Sequence, residues 1–206
     1  MALYKGETLI SNEFIKKPIQ ENTKIFYNHF GRYFYAAKTL NIKKNHVCID
    51  SSCGNGYGTF SLADKCKYIF GLDINQEYID LAKKDYNNPN IIFCTYNDFY
   101  SNYTNILADR IICIETIEHI PKEEINDFIN KLLSKLKLGG SMFVTIPLGN
   151  NEPSSYNEFH LNEMSIGVVY GLFSPHFTNI NIEIDNFTNS FGYDCQYCYL
   201  ILKNKK

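Results

Sequence analysis

An apolar run that ends in an acid and then breaks into small residues constrains this chain more than any other feature. Val47-Cys48-Ile49-Asp50 is followed by Ser51-Ser52-Cys53-Gly54-Asn55-Gly56-Tyr57-Gly58-Thr59. The order is strand, tight turn, helix start. Glycine lets the backbone approach a ligand closely and take φ values that other residues avoid. The first turn of the following helix offers free N–H groups. This is the entrance to a nucleotide-type cofactor site, and the spacing excludes two versions of it. A dinucleotide fingerprint needs G-x-G-x-x-G, but the residue three after Gly56 is Thr59 and the nearest third glycine is Gly58. No Lys-Ser or Lys-Thr pair follows, so the loop is not a P-loop.

A second signal lies downstream. Tyr68-Ile69-Phe70-Gly71-Leu72-Asp73-Ile74 reads as a short strand ending in an acid, and Asp73 lies 73 − 50 = 23 residues after Asp50. An ionised carboxylate is acceptor-only and can take two hydroxyl donors. At the tip of a second strand it is placed to hold the ribose of an adenosine. The competing reading of Asp73 is an N-cap for a helix over 75–86.

The stretch Asp50 to Gly58 resembles motif I of the class I S-adenosylmethionine (SAM) methyltransferases, with Ser52 standing where the first glycine usually is. A positive φ at that serine would cost energy. The rest of the resemblance follows in order. Ile91-Ile92-Phe93-Cys94 precedes Asn97-Asp98-Phe99, where the family has an acid facing the adenine amino group and a backbone N–H on the ring. Ala108 to Glu115 resembles the fourth strand. Leu138-Gly139-Gly140 resembles the turn into the fifth, which runs on to Pro147. The likeness covers residues 25–150. It implies cofactor contacts from Arg32, Asp50, Ser52, Cys53, Gly54, Gly56, Asp73, Ile74, Asn97, Asp98, Phe99 and Glu115. It also implies an α/β, Rossmann-like sheet of seven mostly parallel strands, with helices on both faces and an antiparallel strand near the C-terminus.

The alternation of patterns agrees. Strands are expected near 46–51, 67–73, 90–95, 109–115 and 140–147, and helices near 56–64, 75–87, 122–137 and 161–172. Such alternation builds a parallel sheet with right-handed crossovers. Segments 176–186 and 194–203 read as a strand pair joined by a polar turn. The expected organisation is a single domain over 1–206. Residues 1–42 form an N-terminal helical lid, 43–147 the SAM-binding core, 148–175 a substrate loop and helix, and 176–206 the terminal hairpin.

His29-Phe30-Gly31-Arg32-Tyr33 resembles an H-x-x-R-Y pattern in methyltransferases of bacterial capsule and O-antigen gene clusters. The resemblance implies that Arg32 pairs with the methionine carboxylate of SAM, a fork-to-fork contact suited to guanidinium. Glu115-Thr116-Ile117-Glu118-His119 follows the fourth strand, and His160 stands in Asn157-Glu158-Phe159-His160-Leu161. Glu115, Glu118, His119 and His160 are the catalytic candidates. Imidazole titrates near working pH, which makes the two histidines candidates for the acceptor's proton. In some family members such a run joins a further histidine to hold a divalent metal, while many carry it with no metal. Two carboxylates and two imidazoles suit Mn²⁺ or Zn²⁺ better than Mg²⁺. The metal-free reading is favoured here, with activity expected to survive a chelator.

Bulk properties narrow the partners. A net charge of −2 gives no electrostatic footprint for nucleic acid. No apolar run reaches the length of about 18 residues that a membrane helix needs. The N-terminal stretch lacks the apolar core of a secretion signal. Seven cysteines are an odd set. Cys48, Cys94 and Cys113 fall inside apolar strands, and Cys195-x-x-Cys198 has no second pair at zinc spacing. A reducing cytoplasm is the simplest setting. The turn-rich, polar stretch Leu148 to Glu158 offers hydrogen bonds rather than apolar wall. The expected reaction is SAM-dependent methyl transfer to an oxygen of a small polar metabolite: a sugar, a sugar nucleotide, or a phosphorylated capsule precursor such as that of an O-methyl phosphoramidate. The alternatives are a non-catalytic SAM or nucleotide binder, or a quinone or RNA acceptor.

Overall fold

The computed structural model describes residues 29–155, 157–188 and 194–206. Most of the expected N-terminal lid lies outside the described residues, as does the centre of the expected polar turn after residue 186. Seven strands form one mixed sheet in the order β3-β2-β1-β4-β5-β7-β6. The chain clusters into two compact units, Met1–Ile112 and Cys113–Lys206.

The first unit contains α1 (His29–Thr39), β1 (Val47–Ser51), α2 (Tyr57–Leu62), β2 (Tyr68–Asp73), α3 (Gln76–Asp85), β3 (Ile91–Thr95) and α4 (Tyr96–Asn102), and most of β4 (Ala108–Ile114). β1, β2 and β3 are parallel, with Asp50 opposite Gly71 and Asp73 opposite Thr95. Their carboxyl ends therefore share one edge. Parallel strands are covered on both faces, so their side chains run apolar without alternation. Cys48, Ile49, Ile69, Phe70 and Leu72 are all buried. Cys53, Ile79, Ala82 and Phe93 join α3 to β3 beneath the glycine loop.

The second unit contains two short 3-10 turns (Ile117–His119 and Lys122–Glu124), α5 (Ile125–Ser134), β5 (Leu136–Leu148), α6 (Ile166–Phe173), β6 (Phe177–Thr188) and β7 (Asp194–Lys205). β7 runs antiparallel to both β5 and β6, with Thr145 opposite Tyr199 and Ile182 opposite Leu200. Phe143, Val144, Tyr199, Leu200 and Leu202 pack its centre, and α5 adds Ile129, Leu132 and Leu133. β6 ends the strand order and carries Glu183 and Asp185.

The largest departures from the sequence reading each have a local reason. An unexpected helix, α4, follows β3 directly, because Thr95 caps it: its hydroxyl accepts from Asp98 N at 3.1 Å and donates to Asp98 Oδ2 at 2.8 Å. α6 starts at Ile166 rather than near 161, because residues 161–164 are drawn into backbone bonds with neighbouring loops. β5 starts at Leu136, before the two glycines, and Gly139 takes φ 72° within it. All seven cysteines are unbridged and buried. Among the described residues, no helix is long and apolar enough to cross a membrane.

Candidate active site

The glycine loop leaves β1 through three residues with left-handed backbone: Ser52 (φ 62°), Gly54 (φ 54°) and Gly56 (φ 89°). Two of the three are glycines, for which this region carries no steric cost. Ser52, in the place of the usual first glycine, carries the strain expected of it. Gly56 is also held by close packing, since a Cβ there would lie 2.7 Å from Ala82 Cβ and 2.8 Å from Phe93 Cζ. A Cβ at Gly58 would sit 2.0 Å from the Tyr33 ring. These glycines answer to side chains of their own unit as well as to any ligand.

Asp73 ties β2 to that loop. Its Oδ2 accepts from Gly54 N at 2.9 Å, and its Oδ1 from Asn75 N at 2.9 Å. It is not the side-chain cap of α3; Asn75 fills that role by accepting from Glu77 N at 2.8 Å. Burial raises the Asp73 carboxyl above its usual range, against the opposing pull of its backbone N–H donors. The backbone N–H groups of Asn75, Gly54 and Ile74 all favour its charged form. Ile74 follows it, half-buried, and Cys53 is buried with its N–H on Leu72 O at 2.8 Å.

Asp50 lies deeper. It has no solvent exposure, and it accepts from Thr59 Oγ1 at 2.5 Å and from Tyr33 Oη at 3.3 Å. Burial pushes its carboxyl up to about 7. Each of its oxygens thus accepts one hydroxyl. In this arrangement Asp50 joins α1 and α2 to β1 and sets the shape of the loop. Neither Tyr33 nor Thr59 was singled out as a site residue from sequence, although Tyr33 closes the H-x-x-R-Y pattern. Arg32, beside it on α1, is 3% exposed. Asn97 and Asp98 are exposed on α4, with Asp98 engaged by the Thr95 cap. The Phe99 ring is wholly buried against Phe70, their centroids 5.1 Å apart. Phe99 thus has only backbone groups to offer a ligand.

The second unit assembles the other group. Glu115 has φ 48°, and its carboxylate accepts from Thr145 Oγ1 at 2.8 Å. Glu118, His119 and His160 converge instead, each with a potential ligand atom within 4.8 Å of the others. Glu118 is fully buried and His160 is 5% exposed. The two loops that bring them together are stitched by their backbones. Leu161 N and Asn162 N both donate to Glu118 O, at 2.8 and 3.1 Å, and Asn162 Nδ2 donates to Ile120 O at 2.7 Å.

Hydrogen bonds fix both imidazoles. His119 Nδ1 lies 2.9 Å from Phe159 O, and His160 Nδ1 lies 2.9 Å from Glu163 Oε1. A carbonyl and a carboxylate can only accept, so Nδ1 carries the proton in each ring. The rings meet edge to face with centroids 5.0 Å apart. Glu163, 7% exposed, was not among the sequence candidates. Its only sequence signal was a position three residues after His160.

Comparison with known proteins agrees with this fold. Residues 48–140 match the family described as a methyltransferase domain. An uncharacterized methyltransferase of Schizosaccharomyces pombe is 27% identical, over 65% of this chain and 50% of its own. A ubiquinone biosynthesis O-methyltransferase of Coxiella burnetii is 27% identical, over 54% and 47%. The chain thus spans about half the length of these curated relatives. Among solved structures, the [4+2]-cyclase SpnF superposes with a TM-score of 0.66 at 14% identity, over 84% of this chain and 80% of that one. The N-methyltransferase NodS of Bradyrhizobium japonicum WM9, in complex with S-adenosylhomocysteine, superposes at 0.58 and 16% identity, over 86% and 90%. The solved structures share the fold of this chain, and the matched segment 48–140 lies within it.

Proposed function

We propose that this protein transfers the methyl group of SAM to an oxygen of a small polar metabolite. The glycine loop, Asp73 and Arg32 hold the donor in this reading, with Asp73 on the ribose and Arg32 on the methionine carboxylate. The acceptor's oxygen forms its bond to the methyl carbon as the carbon–sulfur bond breaks, and that electron pair neutralises the sulfonium. The acceptor's proton passes to an imidazole Nε2. The observation that carries the proposal is the meeting of two imidazoles, ring centroids 5.0 Å apart, beside the buried Glu118, since imidazole is the side chain best suited to take a proton near neutral pH. An acceptor hydroxyl needs such a base late in the transfer. The O-methyltransferase among the relatives is in keeping with it.

The acceptor class follows from the segment that carries His160. Residues 149–155 and 157–158 are mostly exposed and rich in Asn, Ser and Glu, a surface for hydroxyls and amides rather than for a quinone tail. We assign a sugar, a sugar nucleotide or a phosphorylated capsule-modification precursor, such as that of an O-methyl phosphoramidate, acted on in the cytoplasm. Incubation with SAM and separate pools of sugar nucleotides, phosphorylated metabolites, quinol analogues and tRNA tests it. Methyl incorporation is expected in one of the first two pools. Incorporation confined to quinol or tRNA would overturn it.

A further inference from the structure

We propose that a basic cavity at the amino-terminal edge of the first unit binds a nucleoside triphosphate as a second ligand, apart from the cofactor loop. The cavity has a volume of about 550 Å³. Small-molecule sites span about 300–1,000 Å³. Lys38, Lys43, Lys44 and Lys65 line it, with Phe34, Ala37 and Ile42 as its apolar wall.

The topology separates this cavity from the glycine loop. Lys38 is on the last turn of α1, Lys43 and Lys44 precede β1, and Lys65 ends the turn before β2. β1 and β2 are parallel, so their amino ends share one edge. The glycine loop and Asp73 stand at the opposite, carboxyl edge. A ligand among the lysines therefore belongs to a different site.

Three observations give the ligand its chemistry. First, the lining carries four ammonium groups, each a donor-only cation. Among the described residues, no lining side chain is acidic. Asp64, the acid next to Lys65, accepts from Asn88 Nδ2 at 3.5 Å. Like charges gathered around a concave surface focus a field that favours an anion. Second, these lysines are not needed as helix caps, a common use of lysine near a helix end. The last carbonyls of α1 take backbone donors instead: Ala36 O from Leu40 N at 2.9 Å, Ala37 O from Ile42 N at 3.0 Å and Lys38 O from Asn41 N at 3.2 Å. Third, an aromatic ring stands beside the charges. Phe34 is 37% exposed, and Lys65 Nζ lies 5.7 Å from its centroid. Phe30 packs on the same ring with centroids 5.0 Å apart. Ammonium groups suit a chain of phosphates, and an exposed ring suits a base, whose π-face stacks whatever its identity. Inorganic phosphate would use the lysines and leave the apolar wall unfilled. A concave site on a chain of net charge −2 fits one small ligand better than a nucleic acid backbone.

The test is calorimetry with ATP and UTP at saturating S-adenosylhomocysteine, which keeps the nucleoside from the cofactor loop. One equivalent of each should bind. Replacing Lys43→Glu and Lys44→Glu together should weaken binding at least 10-fold, because like charge then faces the phosphates. Lys65→Ala should weaken it about 2–5-fold, the worth of an exposed ion pair. Phe34→Leu should weaken both nucleotides at least 5-fold and leave inorganic tripolyphosphate unchanged. S-adenosylhomocysteine binding reports on folding; if the paired glutamate variant does not fold, Lys65→Ala and Phe34→Leu decide. Absence of nucleotide binding overturns the site, and so does equal binding by all variants. Tripolyphosphate binding as tightly as ATP, with no effect of Phe34→Leu, overturns the nucleotide assignment. Binding of tRNA where neither nucleotide binds overturns it as well.

Discussion

Replacing Asp50 with Asn should flatten the pH dependence of stability. Burial pushes the Asp50 carboxyl up to about 7, against an ordinary value of 3.8. Between those values the folded chain holds a proton that the unfolded chain has released. The native state therefore binds more protons, and stability falls as pH rises through the window. It is fully present below about 4 and fully lost above about 7. One pKa unit corresponds to about 1.4 kcal/mol, so the whole span is about 4 kcal/mol. The part that falls between pH 5 and 8 is about 2.5 kcal/mol. Asn keeps the shape and carries no charge, and the Thr59 and Tyr33 hydroxyls can rotate to meet an amide. The assay is urea unfolding of both proteins at intervals from pH 5 to 8. The wild type should lose about 2.5 kcal/mol more than Asp50→Asn across that range. Burial also raises Asp73, but that group is present in both proteins and its contribution largely cancels in the difference. Parallel profiles would refute the reasoning, because they would mean that Asp50 ionises in the fold as it does in the unfolded chain.

Asp73→Ala should weaken S-adenosylhomocysteine binding by about 1.5–3 kcal/mol, the range for hydrogen bonds to a charged group, as read by calorimetry. Unchanged affinity would remove Asp73 from the cofactor contacts. Ser52→Gly should raise unfolding free energy by about 0.5–1 kcal/mol. It relieves a left-handed serine worth about 1–2 kcal/mol, less the extra freedom of glycine in the unfolded chain. A lower denaturation midpoint with unchanged m-value would show that the serine is not strained.

The first half of the molecule was legible because its signals are local. Asp50, the glycines and Asp73 sit at strand ends that follow one another directly, and each strand is an unbroken apolar run. The helix at Tyr96–Asn102 was missed although Thr95-x-x-Asp98 is a local capping signal, because the segment had been assigned as a ligand loop on resemblance. The hydroxyls on Asp50 were invisible for another reason. Tyr33 and Thr59 lie 17 and 9 residues from it, and only the packing of two helices on β1 brings them to its oxygens. Glu163 was hidden by the same kind of distance. It faces His160 because residues 161–164 are held extended by bonds to Glu118, Glu152 and Gly149. No periodicity in the sequence records those bonds.

The last strand in the sheet order bears on how copies of this protein meet in a crowded solution. β6 is 12 residues long and stands last in the strand order, and such an edge is a place where another chain can add a strand. Its Ile180-x-Ile182-x-Ile184 alternation is the kind that templates such growth. Glu183 and Asp185 stand at the alternate positions, on the opposite face of the strand. Two copies approaching edge to edge would set carboxylates against carboxylates, a repulsion that disfavours a shared ladder. Charges on an edge strand are one of the ways a fold discourages such pairing.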